Sequence, residues 1–151
     1  MTLPAPSVTG TPATSAPQLL RSAPYFPVGD VERAAAYYER VFGFRREYVA
    51  GAPPQFAIMT RDGLSIMLRL VADPGAIRPN EIQGGTWDAF FWVRDVRTLH
   101  GELVRNGATI VYGPIVQQAY GMEEFAVRDP DGYVLGFGEP LAQSARAKGG
   151  T

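Results

Sequence analysis

The side chains of this chain that could do chemistry are carboxylates and aromatic rings, because the residues used most often in catalysis are scarce. The 151 residues include no cysteine and one histidine, His100. A chain without cysteine has no disulfide, no thiolate metal site and no cysteine nucleophile. His100 follows Leu99 in a helical pattern, which favours a helix residue in partial contact with the core over a catalytic one. Glycine-rich phosphate loops and a Ser-His-Asp arrangement are also missing.

Charge and composition limit the kinds of partner. Lysine and arginine number 14 against 15 aspartate and glutamate residues, so we expect neither a nucleic acid nor an anionic membrane as partner. No apolar run is long enough to span a bilayer, and the first residues do not resemble a signal peptide. Together with the missing cysteines, this predicts a cytoplasmic protein.

The chain is long enough for one globular domain. Residues 1–20 are rich in Pro, Ala, Ser and Thr, and we expect a disordered N-terminal tail because such a segment buries little apolar surface. Residues 142–151 are expected to form a flexible C-terminal tail. The folded domain should therefore occupy residues 21–141.

Internal repetition divides this domain into two modules. The segment 26–31 (FPVGDV) returns as 91–96 (FWVRDV), and 56–63 (FAIMTRDG) aligns without gaps on 125–132 (FAVRDPDG). Two matches in the same order indicate a duplicated unit. The modules are expected at about 21–82 and 84–141.

Each module reads as strand, helix and three further strands. Asp30 is placed to cap a helix that Gly43 would end. Alternating apolar residues and turn signals then predict strands. The predicted strands of the first module are 44–49, 55–60 and 64–71, after a strand that includes Phe26. In the second module the predicted elements are a strand at 89–93, a helix at 95–106 and strands at 109–112, 123–127 and 133–138. The predicted fold class is thus α+β, with two βαβββ modules.

Two motifs carry a family resemblance. Val28-Gly29-Asp30 followed by a helix that ends at Gly43-Phe44, together with Arg128-Asp129-Pro130-Asp131-Gly132, resembles the vicinal oxygen chelate superfamily of glyoxalases, bleomycin resistance proteins and dioxygenases. The segment 120–127 (YGMEEFAV) is most similar to the bleomycin-resistance branch. The resemblance implies a curled eight-stranded mixed sheet around a cleft, with helices on the outer face, and commonly a homodimer. It also implies one divalent metal in the enzymes.

The metal-ligand positions of the family can be located in this sequence. The resemblance places them at Ala23, Met67, Asp88 and Gly136. A divalent ion needs several oxygen or imidazole donors, and only Asp88 offers one. We therefore expect no metal, no other cofactor and no assigned catalytic residue.

Strand alternation, taken from those positions, predicts which residues face the cleft. The helix-facing parity assigns Phe26, Val28, Phe91 and Val93 to the core. Aromatic walls with a few polar groups suit a planar ligand, with Arg69 for a carboxylate or phenolate and Asp88 or Glu124 for an amine. The predicted ligand-binding residues are Tyr25, Met67, Arg69, Trp87, Asp88, Phe90, Trp92, Tyr112, Tyr120, Met122 and Glu124, of which Trp87, Tyr112, Tyr120 and Met122 are placed near strand ends or in a loop from Gly113 to Gly121.

The favoured hypothesis is a metal-free binding protein of the bleomycin-resistance type, which sequesters an aromatic or cationic ligand. One alternative is a glyoxalase- or dioxygenase-like lyase or isomerase that uses Asp88, Glu124 or Tyr120 as acid or base. A second is a metal enzyme whose ligands Glu81, Asp88, Glu124 or Glu139 converge in a different register. A third is a structural subunit of a complex. We also expect a homodimer, because the modules leave open sheet edges.

Overall fold

The fold is a pair of βαβββ modules, seen in a computed structural model that describes residues 15–142. The first module contains β1 (Tyr25–Val28), α1 (Val31–Arg40), β2 (Arg45–Ala50), β3 (Phe56–Arg61) and β4 (Leu64–Leu70). The second contains β5 (Ala89–Trp92), α2 (Val96–Arg105), β6 (Thr109–Gln117), β7 (Met122–Arg128) and β8 (Val134–Pro140). Two short 3₁₀ turns, Pro74–Ala76 and Asn80–Gln83, lie in the connection between the modules. The predicted α+β class with two such modules is confirmed.

Both helices begin where side-chain capping predicts. The Asp30 carboxylate accepts the amide of Arg33 at 2.9 Å, and the Asp95 carboxylate accepts the amide of Thr98 at 3.1 Å. These bonds satisfy amides that lack a partner within the helix. In the described part of the chain, no helix is long and apolar enough to cross a membrane. Most of the predicted N-terminal tail and nearly all of the predicted C-terminal tail lie outside the described residues.

The eight strands are divided between two four-stranded mixed sheets. Their orders are β1-β4-β3-β2 and β5-β8-β7-β6. In each sheet the first pair is parallel and the others are antiparallel. Tyr25 lies opposite Met67 in the first sheet, as Phe90 lies opposite Gly136 in the second. The two sheets therefore repeat the same plan.

Strand β6 is longer than the sequence predicts. It continues through Gln117 and pairs Ile115 with Glu124, so the loop expected from Gly113 to Gly121 is mostly strand. The Gly113-Pro114 pair interrupts the alternating pattern but is absorbed by a bulge between Tyr112 and Ile115. A bulge adds residues to one strand without ending the ladder. Only residues 118–121 form the turn.

The gapless alignment of the two hairpins is also corrected. Met59 pairs with Ile66 in the first hairpin, and Val127 pairs with Leu135 in the second, so the second turn is one residue longer. The structural counterpart of Phe125 is consequently Ala57 and not Phe56. Because side chains alternate along a strand, this single residue decides which face each residue of β7 occupies.

The core lies on the helix side of both sheets. Phe26 and Val28 are buried there, and Phe91 and Val93 pack against the same core as partly buried residues. The predicted core parity is therefore confirmed. The rings of His100 and Phe125 meet edge-on, with their centroids 5.1 Å apart. This agrees with the predicted place of His100 on the helix, in partial contact with the core.

The Asp129-Pro130-Asp131-Gly132 turn joins the second module to the first. The Tyr38 hydroxyl of α1 donates to Asp129 at 2.9 Å, and the Gly29 amide donates to Asp131 at 3.0 Å. The ring of Tyr133 stacks on Phe26 with centroids 4.3 Å apart. A turn that the sequence presents as a simple hairpin signal thus also holds the modules together.

Asp129 should make stability depend on pH. Burial, and more weakly the nearby Asp131, raises the pKa of Asp129 from 3.8 to about 7, although three hydrogen bonds oppose the shift. A carboxyl whose pKa is raised by folding is stabilising while protonated, and the contribution is lost as pH rises towards 7. Relative to Asp129→Asn, the free energy of unfolding of the unsubstituted protein should fall between about pH 4 and pH 7, by at most about 1.4 kcal/mol per pH unit. Urea unfolding of both proteins across this range measures the slope, and parallel pH profiles would contradict it.

Candidate functional site

The candidate site lies on the face of the second sheet opposite the helix, which we call the helix-free face. Strand register brings two rows of residues to this face, and each row crosses all four strands. The first row is Phe90, Gly136, Ala126 and Tyr112. The second row is Trp92, Gly138, Glu124 and Ile115.

Three rings form an aromatic platform on this face, namely Trp87, Phe90 and Trp92. Phe90 lies between the two indoles, with ring centroids 4.6 Å from Trp87 and 5.2 Å from Trp92. Trp92 is 71% exposed although it is among the largest side chains of the protein. A large exposed ring beside others is available for stacking against a ligand.

Two glycines allow the platform to approach the sheet. A Cβ built on Gly136 would lie 2.6 Å from Trp87 and 2.7 Å from Phe90, and one on Gly138 would lie 2.6 Å from both Phe90 and Met122. Any larger residue in these two positions would displace the rings. The Gly-x-Gly pattern of β8, opposite an aromatic-rich β5, is the sequence signal that could have predicted this packing.

Beside the platform lies an acid–phenol cluster, which consists of Glu124, Tyr112 and Tyr120. Oε1 of Glu124 accepts the Tyr112 hydroxyl at 3.1 Å and the Tyr120 hydroxyl at 2.5 Å. The Trp87 indole N–H donates to the Tyr112 hydroxyl at 2.8 Å and so connects the cluster to the platform. Burial, with Glu124 nearby, raises the pKa of both Tyr112 and Tyr120 to about 12. Both phenols therefore remain donors at neutral pH.

Glu124 is fully buried in the middle of β7, and its second oxygen, Oε2, has no hydrogen-bond partner among the described residues. Its neighbour Glu123 faces the helix side instead, where it pairs with Arg97 at 2.5 Å. Buried carboxylates are normally paired because an unpaired one costs much more free energy than a neutral polar group. Glu124 is thus the one unusual acid of this face.

Asp88, which the sequence predicts as a possible partner for an amine, lies outside this cluster. Its two oxygens accept the backbone amides of Asn80 and Val134, each at 2.8 Å. A carboxylate whose two oxygens both hold backbone amides is occupied in fixing the chain, here the 3₁₀ turn and the start of β8. Asp88 does line a cavity of about 500 Å³ together with Tyr25 and Tyr133, but as a structural residue.

The predicted ligand-binding residues other than Asp88 fall into three groups. Six are joined through contacts on the helix-free face of the second sheet: Trp87, Phe90, Trp92, Tyr112, Tyr120 and Glu124. Met122 starts β7, as predicted for a residue near a strand end; it is 7% exposed and lies against Gly138 on the same face of the strand as Glu124. The remaining residues apart from Asp88, which are Tyr25, Met67 and Arg69, lie on the first sheet. Sequence reasoning missed Ile115, which is 43% exposed at the edge of the same face.

The residues at the family's metal positions do not fit a divalent ion. Ala23 and Gly136 have no donor atom, Met67 offers only a thioether, and the Asp88 oxygens already hold amides. At Gly136 even the space that a ligand side chain would need is filled by the Trp87 indole. These four positions therefore do not supply the donor set of a divalent ion.

The alternative set of metal ligands does not converge either. Glu81 pairs with Arg128, Glu139 accepts the Val96 amide at 3.2 Å, and Glu124 holds the two tyrosines. Within residues 15–142, no three acidic or histidine residues come together as a possible metal site. The described residues therefore do not support the hypothesis that these acids converge on a metal in a different strand register.

A second cavity, of about 330 Å³, lies between the modules. Its apolar lining includes Phe42, Phe44 and Phe91, and its polar rim includes Arg61 and Glu102. Arg61 donates to Glu102 at 2.8 Å and to the Phe42 carbonyl at 2.7 Å. The Arg61–Glu102 pair of the rim therefore joins the modules, which makes this cavity a weaker candidate than the helix-free face.

Comparisons with known proteins agree with the fold. The chain belongs to the Glyoxalase/Bleomycin resistance protein/Dioxygenase superfamily, whose family model matches residues 20–137. No curated protein matches it in sequence.

Among solved structures, TioX from Micromonospora sp. ML1 is 26% identical, with 80% of this chain and 98% of that chain covered and a TM-score of 0.64. TnmS3, an antibiotic binding protein from Streptomyces sp. CB03234, is 23% identical, with 80% and 94% covered and a TM-score of 0.59. A glyoxalase-related enzyme from Fulvimarina pelagi is 22% identical, with 78% and 86% covered and a TM-score of 0.56. The last two likenesses show the fold alone.

Proposed function

We propose that this protein binds a small planar molecule on its aromatic platform and acts by sequestration, in the manner of the bleomycin-resistance branch. The observation that carries the proposal is the exposed Trp92 ring, held beside Phe90 and Trp87 on a sheet face that also contains a buried acid. Flat rings with one directed polar group suit a conjugated ligand. Similarity to a protein described as antibiotic-binding supports an antibiotic as the natural ligand.

Sequestration is favoured over catalysis by the chemistry of the site. Binding requires only affinity, whereas a family enzyme uses its metal to polarise substrate oxygens. The positions that would hold that metal carry Ala23, Met67 and Gly136, and Asp88 is engaged with backbone amides. The residues that remain on the helix-free face can stack, donate and accept hydrogen bonds. These are the properties of a binding surface.

Binding can be measured directly with acridone, a neutral planar probe of three fused rings, by tryptophan fluorescence or calorimetry. Trp92→Ala should weaken acridone binding about tenfold, since it removes a stacking partner and its apolar area, while Trp92→Phe should keep most of the affinity. Ile82→Ala is the matched control, because Ile82 is also a large exposed apolar residue, at 67%, but lies in the inter-module connection. Equal losses in the Trp92→Ala and Ile82→Ala variants would argue against the platform.

We further propose that the protein is a homodimer. Leu19 and Leu20 are 93% and 88% exposed, and Tyr25 and Tyr48 of the first module are each 54% exposed. Single exposed apolar residues are ordinary on a monomer. What favours a second copy is that β1, β2, β5 and β6 are the terminal strands of their sheets and offer open edges, with Leu19 and Leu20 just ahead of β1. Light scattering after size exclusion should give a mass near twice the 16.4 kDa of the chain, and Leu19→Gln combined with Leu20→Gln should shift the protein towards monomer. A monomeric parent protein would disprove the dimer.

A further inference from the structure

We infer that the ligand of this site carries a cationic nitrogen, which binds to Oε2 of Glu124. This inference rests on the proposed function and specifies the charge of the molecule bound. Oε2 is buried and has no hydrogen-bond partner in the part of the chain that the structure describes. Oε1, in contrast, has two donors. This carboxylate accepts two hydrogen bonds at one oxygen and none at the other, so the second oxygen can accept one further donor. A charged donor gives the strongest hydrogen bond.

The nearby arginines are engaged elsewhere. Arg97 pairs with Glu123 on the helix side of β7, and Arg128 pairs with Glu81 at the end of that strand. Residues on either side of Glu124 in the sheet register are Gly138 and Ile115, which bring no charge. The negative charge of Glu124 is therefore not neutralised by a hydrogen-bonded cation among these neighbours.

The surrounding rings favour the same class of ligand. An aromatic face attracts a cation through its quadrupole, and this attraction grows when the cation is desolvated. Trp87 is coupled to the acid through the Tyr112 hydroxyl, and Phe90 and Trp92 continue the ring surface. A planar molecule with a protonated or quaternary nitrogen can stack on these rings while its charge meets Glu124. A carboxylate ligand would be repelled at the same point.

A ligand can reach the buried Oε2 only if a side chain moves, and Tyr120 is the member of the cluster best placed to do so. It lies in the turn before β7, is 52% exposed, and its hydroxyl donates to Oε1 of Glu124. Tyr112 is held more firmly, because its hydroxyl both accepts from Trp87 and donates to Glu124. The cluster thus combines one fixed phenol with one peripheral phenol that can turn towards solvent.

Three planar probes of matched size test the charge: proflavine as the cation, acridone as the neutral molecule and anthracene-9-carboxylate as the anion. The full-length protein should bind proflavine about 10- to 100-fold more tightly than acridone, the range expected for a hydrogen bond to a charged group, and should bind the anion most weakly. Glu124→Gln should weaken proflavine binding much more than acridone binding, so that the ratio of the two affinities falls to within about threefold of one. Glu123→Gln is the matched control, because that neighbour faces the helix, and it should keep the preference.

The outcomes separate the two proposals. Equal affinity of the unsubstituted protein for all three probes would overturn the cation inference and leave the proposed function standing, whether or not the Glu124→Gln variant folds. A preference that survives Glu124→Gln in a folded protein would overturn it too. If none of the three probes binds, both the proposed function and this inference fail.

Discussion

Replacing Gly113 with alanine should destabilise the protein by about 2–5 kcal/mol, from the left-handed backbone and steric overlap together. Gly113 has a φ of +87°, and a Cβ there would lie 2.4 Å from the Glu124 carbonyl oxygen and 2.8 Å from the Phe125 Cα. Both contacts are with backbone, which cannot rotate away. The substitution should therefore separate the bulge of β6 from β7 and disturb Tyr112 and Glu124 together. Urea unfolding followed by tryptophan fluorescence measures the loss.

Gly63→Ala is the matched control for this experiment. Gly63 has a similar φ of +77° in the first hairpin, but nothing lies within 4 Å of its added Cβ. It should cost only the about 1–2 kcal/mol of the left-handed conformation, and it should leave probe binding unchanged. If the losses in free energy of unfolding of the two variants agree within about 0.5 kcal/mol, the close approach of β6 and β7 is not the reason for glycine at position 113.

Gly136→Val should damage the site more than it damages the fold. The new side chain would overlap the Trp87 and Phe90 rings, since even a Cβ approaches them to 2.6 and 2.7 Å. Overpacking of this kind costs about 1–3 kcal/mol of stability. The displaced indole should lose its bond to the Tyr112 hydroxyl, and acridone affinity should fall by about tenfold or more. Fluorescence titration and urea unfolding of the same preparation give both quantities.

A second substitution tests whether Trp87 is the cause. Trp87→Ala removes the ring that the introduced valine side chain would strike, so it should cost less stability in the Gly136→Val background than in the parent protein. We expect a coupling free energy of at least about 1 kcal/mol, as found for residues in direct contact. Additive losses of stability would mean that Gly136 is required for another reason. Either way, Trp87→Ala alone should reduce probe binding.

Much of the fold could be predicted from local patterns. Asp30 and Asp95 cap helices as expected, and alternation assigns Phe26 and Val28 to the core. Such signals depend only on neighbours in sequence. The regular geometry of a helix or strand then determines which side of the element each side chain occupies. The aromatic and acidic residues of the second module were identified in the same way. Their common face follows once β5, β7 and β8 are recognised.

The rest depended on contacts that no local pattern encodes. The backbone partners of Asp88 are one example, because its carboxylate accepts amides from Asn80 and from Val134, the latter at a strand distant in sequence. The Gly113-Pro114 pair suggested the end of a strand, but pairing with β7 carries β6 past it. The extra residue in the second hairpin turn could not be seen in the sequence, because segments 56–63 and 125–132 align without a gap. Tertiary hydrogen bonds decided each of these cases.

The pair Glu123 and Glu124 has a consequence for how the family site can change during evolution. The two acids point to opposite sides of β7, one towards Arg97 and the other towards the tyrosines. Sliding β7 by one residue would bring Glu124 in among Phe137 and His100 and push Phe125 out to the ligand side. Because the two adjacent glutamates need different partners on opposite faces, they fix the register of β7. Insertions should be tolerated in the 118–121 turn, where they could change ligand selectivity. Insertions between residues 122 and 128 should prevent folding, because they would reverse the faces of the residues that follow them in β7.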